Sequence, residues 1–150
     1  MLDRSNVITA CLRFHKASKD HRAAQLLLEH GYYEAANDRA FFCMLHSARA
    51  LMAYISLNDA MNDYTPTDVV IENFRDNYIL QRYHDPRLYE MFETVRKNRK
   101  DETYSRDFMA TKEGTEQNVQ NAGYFLETAK AISNRRLALN ADSKTSFPIG

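Results

Sequence analysis

Glycine and proline are scarce in this chain, which has four glycines, three prolines and no tryptophan among 150 residues. Sheet proteins need many tight turns, and tight turns are rich in glycine and proline. The alternation of Val, Ile or Thr with polar residues that is typical of half-buried strands is also missing. The sequence therefore predicts an all-α domain.

Net charge and cysteine clusters are absent as well. Twenty basic and twenty acidic residues cancel, so the whole chain has no electrostatic preference for nucleic acid, and any such site must be local. Cys11 and Cys43 lack metal-ligand or CxxC spacing, and we expect both to be core thiols in a reducing compartment. No His-x-x-x-His or Glu-x-x-His spacing predicts a metal site, and no cofactor is expected.

Long apolar runs are missing too. The first 14 residues include Asp3 and too short an apolar stretch for a secretory signal, and no apolar segment reaches membrane-spanning length. We therefore expect a soluble, cytoplasmic protein that makes no contact with a membrane.

Caps and apolar spacing predict about five helices in a single domain over residues 1–139, followed by a flexible C-terminal tail over 140–150. Gly31 is predicted to end the first helix and Thr65 to cap the third. The predicted helices are Ser5 to Glu29, Tyr32 to Leu57, Thr67 to Leu80, one opened by Asp85 and Pro86, and one begun by Thr111 and Glu113.

The second helix is the most informative element, because apolar and small residues occupy more than one of its faces. The two apolar faces consist of Phe41, Met44, Ala48, Leu51 and Ile55, and of Ala40, Cys43, Ser47, Ala50 and Tyr54. This pattern is typical of a central helix in a bundle. We do not expect the five helices of one chain to cover both apolar faces, so we predict a homodimer.

Three basic or titratable residues interrupt this apolar helix. Arg39 and His46 are seven residues apart and project along nearly the same line, and Arg49 follows His46 by three. Such groups are costly to bury unless they are paired or functional. Two interpretations stay open: a functional edge, or a structural one in which Arg39 pairs with Glu34 or a neighbouring chain's Asp38, and His46 bonds to a carbonyl or a tyrosine hydroxyl.

The segment EAANDRAFFCMLHSARALMAY follows a basic-faced first helix and a Gly-Tyr-Tyr turn, and it resembles the second helix of prokaryotic HEPN domains of the form A-x-x-R-A-Y-Y-x-M-x-H-A-A-R-A-L. Arg99 to Tyr104 weakly resembles a second family motif, with Thr103 where Asp is usual. The matching positions of the second helix are Ala36, Arg39, Ala40, Phe41, Phe42, Met44, His46, Ala48, Arg49, Ala50 and Leu51.

The resemblance implies a dimeric, antiparallel helical bundle that pairs with a minimal nucleotidyltransferase as toxin and antitoxin, or acts in defence. Two activities follow from it: a metal-independent endoribonuclease that uses an Arg and a His with four to six residues between them, or a non-catalytic partner that binds a nucleotide or RNA. No histidine follows Arg99 at that distance, but Arg39 and His46 have the spacing. A purely structural interaction module is the third possibility.

Chemistry that fits Arg39 and His46 is RNA cleavage, since a neutral imidazole can accept a proton from a 2′-hydroxyl and a guanidinium can hold phosphate oxygens. Arg49 is predicted to add a second phosphate contact.

A second predicted RNA or phosphate contact is the basic run before Tyr104, in which Tyr104 either stacks on a base or receives a nucleotide from the partner. The alternative is a solvated helix end. The residues of this predicted contact are Arg96, Lys97, Arg99, Lys100 and Tyr104.

Overall fold

The computed structural model describes residues 3–55, 65–104 and 109–143, with the backbone alone at 101–104 and 140–143. These residues form a bundle of α-helices without strands, which confirms the predicted all-α class. The elements are α1 (Arg4–Glu29), α2 (Tyr33–Met52), α3 (Thr67–Phe74), a π-helical segment (Arg75–Leu80), α4 (Arg87–Tyr104) and α5 (Lys112–Ser143). No helix in these ranges is long and apolar enough to cross a membrane.

Helix α2 is the centre of the bundle, and its neighbours α1, α3, α4 and α5 all contact it. Both of its predicted apolar faces are buried, from Phe41 and Met44 on one side to Cys43 and Ala50 on the other. The reasoning that one chain is too small to cover these faces was therefore wrong, because the other four helices cover them. The homodimer stays a prediction without this support.

The turn between α1 and α2 is built as the sequence predicts. Gly31 has a positive φ of 80°, a conformation that costs glycine little. Its amide donates to the carbonyl of Leu28 at 3.1 Å, and the amide of Tyr32 donates to that of Leu27 at 2.9 Å. These two bonds are those of a Schellman motif, which ends α1 and reverses the chain so that α2 packs antiparallel against it.

Several predicted boundaries differ from the structure. Helix α2 ends at Met52 instead of Leu57; residues 53–55 form turns, and 56–57 lie outside the described residues. The N-cap of α3 is Pro66 and not Thr65, while Asp85 does cap α4 by accepting from the amide of Arg87 at 3.0 Å. Helix α5 continues to Ser143, so residues 140–143 of the predicted tail are helical, and 144–150 are not described.

An aromatic cluster joins four of the elements at the core. Phe74 of α3 lies 5.3 Å from Phe125 of α5 and 6.4 Å from Phe92 of α4, measured between ring centroids, and Phe41 of α2 lies 6.0 Å from Phe92. The hydroxyl of buried Tyr78 donates to the carbonyl of Leu51 near the end of α2. This cluster fixes the positions of α3, α4 and α5 around the central helix.

The two cysteines lie in different environments, although both were predicted to be core thiols. Cys43 is buried, as predicted, and its thiol donates to the carbonyl of Ala122 at 3.6 Å. Cys11 is exposed, so the prediction for it was wrong. It follows buried Ala10 by one residue, which places it about 100° around the axis, away from the alanines that face α2.

This difference predicts the reactivity of the two thiols. Burial raises the pKa of Cys43 to about 12, so its reactive thiolate form is scarce at pH 8 as well as inaccessible. We expect one thiol, Cys11, to react with a thiol reagent in the folded protein, and both to react in denaturant. Cys11→Ser should abolish the fast reaction and Cys43→Ser should leave it unchanged; rapid labelling of both thiols in the native protein would contradict the packing of α2 against α5.

Candidate functional site

A cleft of about 340 Å³ opens between α1 and α2. It gathers polar and charged side chains along the edge where the two antiparallel helices meet. The residues that line it are Lys16, Lys19 and Asp20 from α1, and Arg39, Phe42 and His46 from α2. The structure therefore brings the predicted pair, Arg39 and His46, into one cleft.

Small residues set the distance between the two helices. Ala17 and Ala24 of α1 and Ala36 and Ala40 of α2 are all fully buried. Because alanine has the smallest side chain with a Cβ, alanines at the contact line let the helix axes approach closely. The longer side chains beside that line then meet at its edge, and this places Asp20 opposite Arg39.

Asp20 is the residue that contacts both Arg39 and His46. Its Oδ1 accepts a hydrogen bond from Nη1 of Arg39 at 3.1 Å, and its Oδ2 lies 3.7 Å from Nε2 of His46. The side chains of Asp20 and His46 are 14% and 15% exposed, whereas that of Arg39 is 40% exposed. Among the described residues, Arg39 forms its ion pair with Asp20 and not with Glu34, and the chain's own Asp38 binds Arg99. Pairing of Arg39 with a neighbouring chain's Asp38 stays a prediction.

Burial disfavours the ionised form of Asp20. Burial raises the pKa of this carboxyl above its usual value, and the nearby Arg39 and Lys16 act in the opposite direction without cancelling the effect. Asp20 is thus a carboxylate that the fold keeps between a guanidinium and an imidazole although desolvation disfavours its charge.

Phe42 forms the apolar wall of the cleft and connects it to α4. The guanidinium carbon of Arg39 lies 4.8 Å from the centroid of the Phe42 ring, and that of Arg99 lies 5.1 Å from it. The ring of His46 is stacked on Phe42 at 6.2 Å. Arg99 also donates from Nε to Asp38 at 3.0 Å. The structure therefore places Arg99 of the predicted basic run beside the same aromatic ring as Arg39.

Arg49 lies elsewhere. It is 7% exposed, and its Nη2 donates to the carbonyl of Thr65 at 3.2 Å, in the segment that leads into α3. Ten residues separate it from Arg39, which turns it about 80° away around the helix axis. Arg49 is not among the residues that line the cleft. Its described contact is structural, and its role in phosphate binding stays a prediction.

The rest of the predicted basic run is divided. Arg96 forms ion pairs with Asp68 at 2.6 Å and Glu93 at 3.1 Å, so its charge is already balanced. Lys97 and Lys100 are exposed. Tyr104 is the last residue of α4, and this helix includes the whole basic run from Arg96 to Lys100. The side chain of Tyr104 lies outside the part of the chain that is described.

Sequence reasoning missed Asp20, and it described the basic residues of α1, which include Lys16 and Lys19, only as a basic face. Asp20 is one of several charged residues in the stretch from Lys16 to Arg22, and nothing in its spacing distinguishes it. Its importance comes from the pairing of two helices, which one-dimensional periodicity does not specify.

A larger groove of about 670 Å³ runs between α1 and α5. Gly123 of α5 lies so close to His21 that an added Cβ would sit 2.7 Å from Nε2 of that histidine. The groove therefore owes its shape to close helix packing. It does not contain the Arg, His and Asp combination of the cleft.

Replacing Asp20 by Asn tests the cost of its charge. Because the folded-state pKa of Asp20 is raised, the folded wild type binds a proton more tightly than the unfolded chain and loses stability as pH rises through the raised pKa. Asp20→Asn has no such loss. We therefore expect its stability relative to wild type to increase between pH 3 and pH 7 in urea unfolding. A relative stability that falls over this range would mean that pairing with Arg39 outweighs burial.

No protein-family model matches this chain, and no curated protein matches it at a significant level. The resemblance to HEPN domains therefore rests on sequence motifs alone, chiefly on the residues of α2.

Proposed function

We propose that this chain is the HEPN-like member of a toxin and antitoxin or defence pair, and that it cleaves RNA without a metal at the cleft between α1 and α2. The observation that carries this proposal is Asp20, which contacts both Arg39 and His46 and so makes one site of the two residues predicted to do the chemistry.

The cleavage step assigns one role to each side chain. Nε2 of His46 takes the proton of an RNA 2′-hydroxyl while that oxygen attacks the adjacent phosphorus. The bond between phosphorus and the 5′-oxygen breaks, the departing oxygen takes a proton from water, and a 2′,3′-cyclic phosphate remains. Arg39 holds the phosphate oxygens, and the carboxylate of Asp20 stabilises the imidazolium that forms.

Charge at the rim of the cleft supports binding of a phosphate chain. Lys16 and Lys19 are exposed and line the cleft beside Arg39. Because their ammonium groups have no ion-pair partner among the described residues, they can attract an RNA backbone despite the zero net charge of the chain. Phe42 offers an apolar ring beside them.

Incubation of total RNA with the purified protein in excess chelator tests the proposal. We expect fragments that end in 2′,3′-cyclic phosphate, and we expect Arg39→Ala to reduce their formation by about 10²-fold or more. Arg22→Ala, an exposed arginine of α1 outside the cleft, is the matched control and should cleave as wild type. Intact RNA after prolonged incubation at high protein concentration would contradict the nuclease proposal.

A second candidate function is binding without cleavage, as the partner of a minimal nucleotidyltransferase. Two observations favour it: Arg39 is already paired with Asp20, and the His46 side chain is 15% exposed. A phosphate could then be held by Lys16, Lys19 and Arg39 while His46 takes no proton. In this function the chain presents Tyr104, at the end of α4, to the transferase.

Transfer of a nucleotide to Tyr104 distinguishes this candidate. When the protein is incubated with the transferase encoded beside it and ATP, we expect a mass increase of one AMP that Tyr104→Phe abolishes and Tyr83→Phe does not. Tyr83 serves as the control because its side chain is exposed. Binding of the transferase without any added mass would contradict modification of Tyr104.

A further inference from the structure

A second group of cationic side chains surrounds Tyr78, where the ends of α2 and of the π-helical segment meet α5. The guanidinium carbon of Arg82 lies 5.4 Å from the centroid of the Tyr78 ring, and that of Arg136 lies 5.9 Å from it. The ring of His84 lies 6.0 Å from the same ring. Tyr78 itself is fully buried, so these groups are gathered around one fixed ring.

The backbone holds this arrangement in place. Tyr83 has a φ of 57°, a left-handed conformation that is uncommon for a residue other than glycine, asparagine or aspartate. The resulting turn brings the amide of His84 back to the carbonyl of Tyr78 at 3.0 Å. Preceding the turn is the π-helical segment, a rare conformation that recurs at functional sites.

Five arginines of the bundle have an acidic partner, and none of the five belongs to this group. Arg39, Arg75, Arg87, Arg96 and Arg99 each form an ion pair with an aspartate or glutamate. Within the described ranges, no carboxylate forms an ion pair with Arg82, Arg135 or Arg136.

The positive charge of these arginines acts on His84. Burial lowers the pKa of His84 first, and repulsion from Arg135, Arg82 and Arg136 lowers it further. The charges that shift the pKa of this histidine are thus all positive in the part of the chain that the structure describes. In a chain of zero net charge, such a concentration is unfavourable unless an anion compensates it.

The carbonyl groups at helix ends compensate only part of the positive charge of this cluster. Arg82 donates from Nη1 to the carbonyl of Asn77 at 2.6 Å, and Arg136 donates from Nη2 to that of Tyr54 at 3.1 Å. Each helix C-terminus carries only about half a negative charge, less than three full positive ones. Arg135 is exposed and has no such carbonyl, and the buried Nε of Arg136 has no hydrogen-bond partner among the described residues.

We propose that Arg82, His84, Arg135 and Arg136 form a phosphate-binding site, separate from the cleft of Asp20, Arg39 and His46. The forked guanidinium groups suit the oxygens of a phosphate, which can accept several hydrogen bonds at once. The bound phosphate belongs either to a free nucleotide or to the backbone of a nucleic acid, since both present the same group. This site does not depend on whether the other cleft cleaves RNA.

Calorimetric titration with inorganic pyrophosphate at low salt tests the site. We expect the double variant Arg82→Gln/Arg135→Gln to bind at least about tenfold more weakly than wild type. Arg4→Gln/Arg22→Gln removes the same charge from exposed positions of α1 and should change binding less than twofold. Should Arg82→Gln impair folding, Arg135→Gln alone should still weaken binding severalfold. Equal weakening in both double variants, or none in either, would overturn the proposal.

A local readout and two further ligands complete the experiment. Bound pyrophosphate should raise the pKa of His84 in NMR titration, because it offsets the repulsion of the three arginines; an unchanged pKa would overturn the proposal. ATP and a 2′-O-methyl oligonucleotide then separate the sources. Loss of binding in Arg82→Gln/Arg135→Gln for ATP alone identifies a nucleotide site, and loss for the oligonucleotide identifies a nucleic-acid site.

Discussion

Replacement of His46 by Ala should reduce RNA cleavage by about 10² to 10⁴-fold, the usual contribution of a general base. The imidazole lines the cleft with Nε2 beside Asp20, and no other histidine lines it. Since the side chain is 15% exposed and sits at the edge of the α1 and α2 contact, its loss should leave the helical circular dichroism signal intact.

The control for this change is His15→Ala, which removes an exposed histidine from α1. It should cleave RNA at the wild-type rate. If folded His46→Ala cleaves as fast as its parent, His46 is not the base. If His46→Ala unfolds while His15→Ala does not, the histidine supports the packing of Phe42, and the structural interpretation of His46 is correct.

Phe74→Ala should cause the largest loss of stability, about 3 to 5 kcal/mol. The ring is fully buried, packs against the rings of Phe92 and Phe125, and is stacked on Tyr78. Removing it leaves a cavity where α3, α4 and α5 meet. The surrounding rings pack against one another, so they cannot move freely to fill this cavity. Urea unfolding measures the difference.

Leu80→Ala is the matched control, because Leu80 ends the same helical stretch but is 58% exposed. We expect it to change the unfolding free energy by less than about 0.5 kcal/mol. Phe74→Leu, which keeps most of the volume, should fall between the two. A loss below about 1 kcal/mol for Phe74→Ala would show that the aromatic cluster is not the centre of the core.

Periodicity predicted the helices well because burial follows spacing within one helix. Gly31 ends α1 as predicted, and the two predicted apolar faces of α2 are buried from Ala40 to Leu51. The π-helical turn at Arg75–Leu80 was not predicted, because six residues are too few for apolar spacing to distinguish its wider turn from that of an α-helix.

The site was only half predictable. Arg39 and His46 lie on one helix, so their common edge could be read from a separation of seven residues. Asp20 depends on how α1 and α2 align, and the bond from Arg49 to the carbonyl of Thr65 depends on how α2 packs against the segment before α3. Pairing between helices is set by packing across the whole bundle, and spacing within one helix carries no information about it.

Cleavage of one defined RNA oligonucleotide and its 2′-O-methyl counterpart, in chelator, tests the central claim most directly. If His46 takes the proton of a 2′-hydroxyl, the unmodified RNA should be cut to products with 2′,3′-cyclic phosphate ends, and the methylated RNA, which has no such proton, should stay intact. Equal cutting of both, or cutting that leaves a free 3′-hydroxyl, would contradict the account.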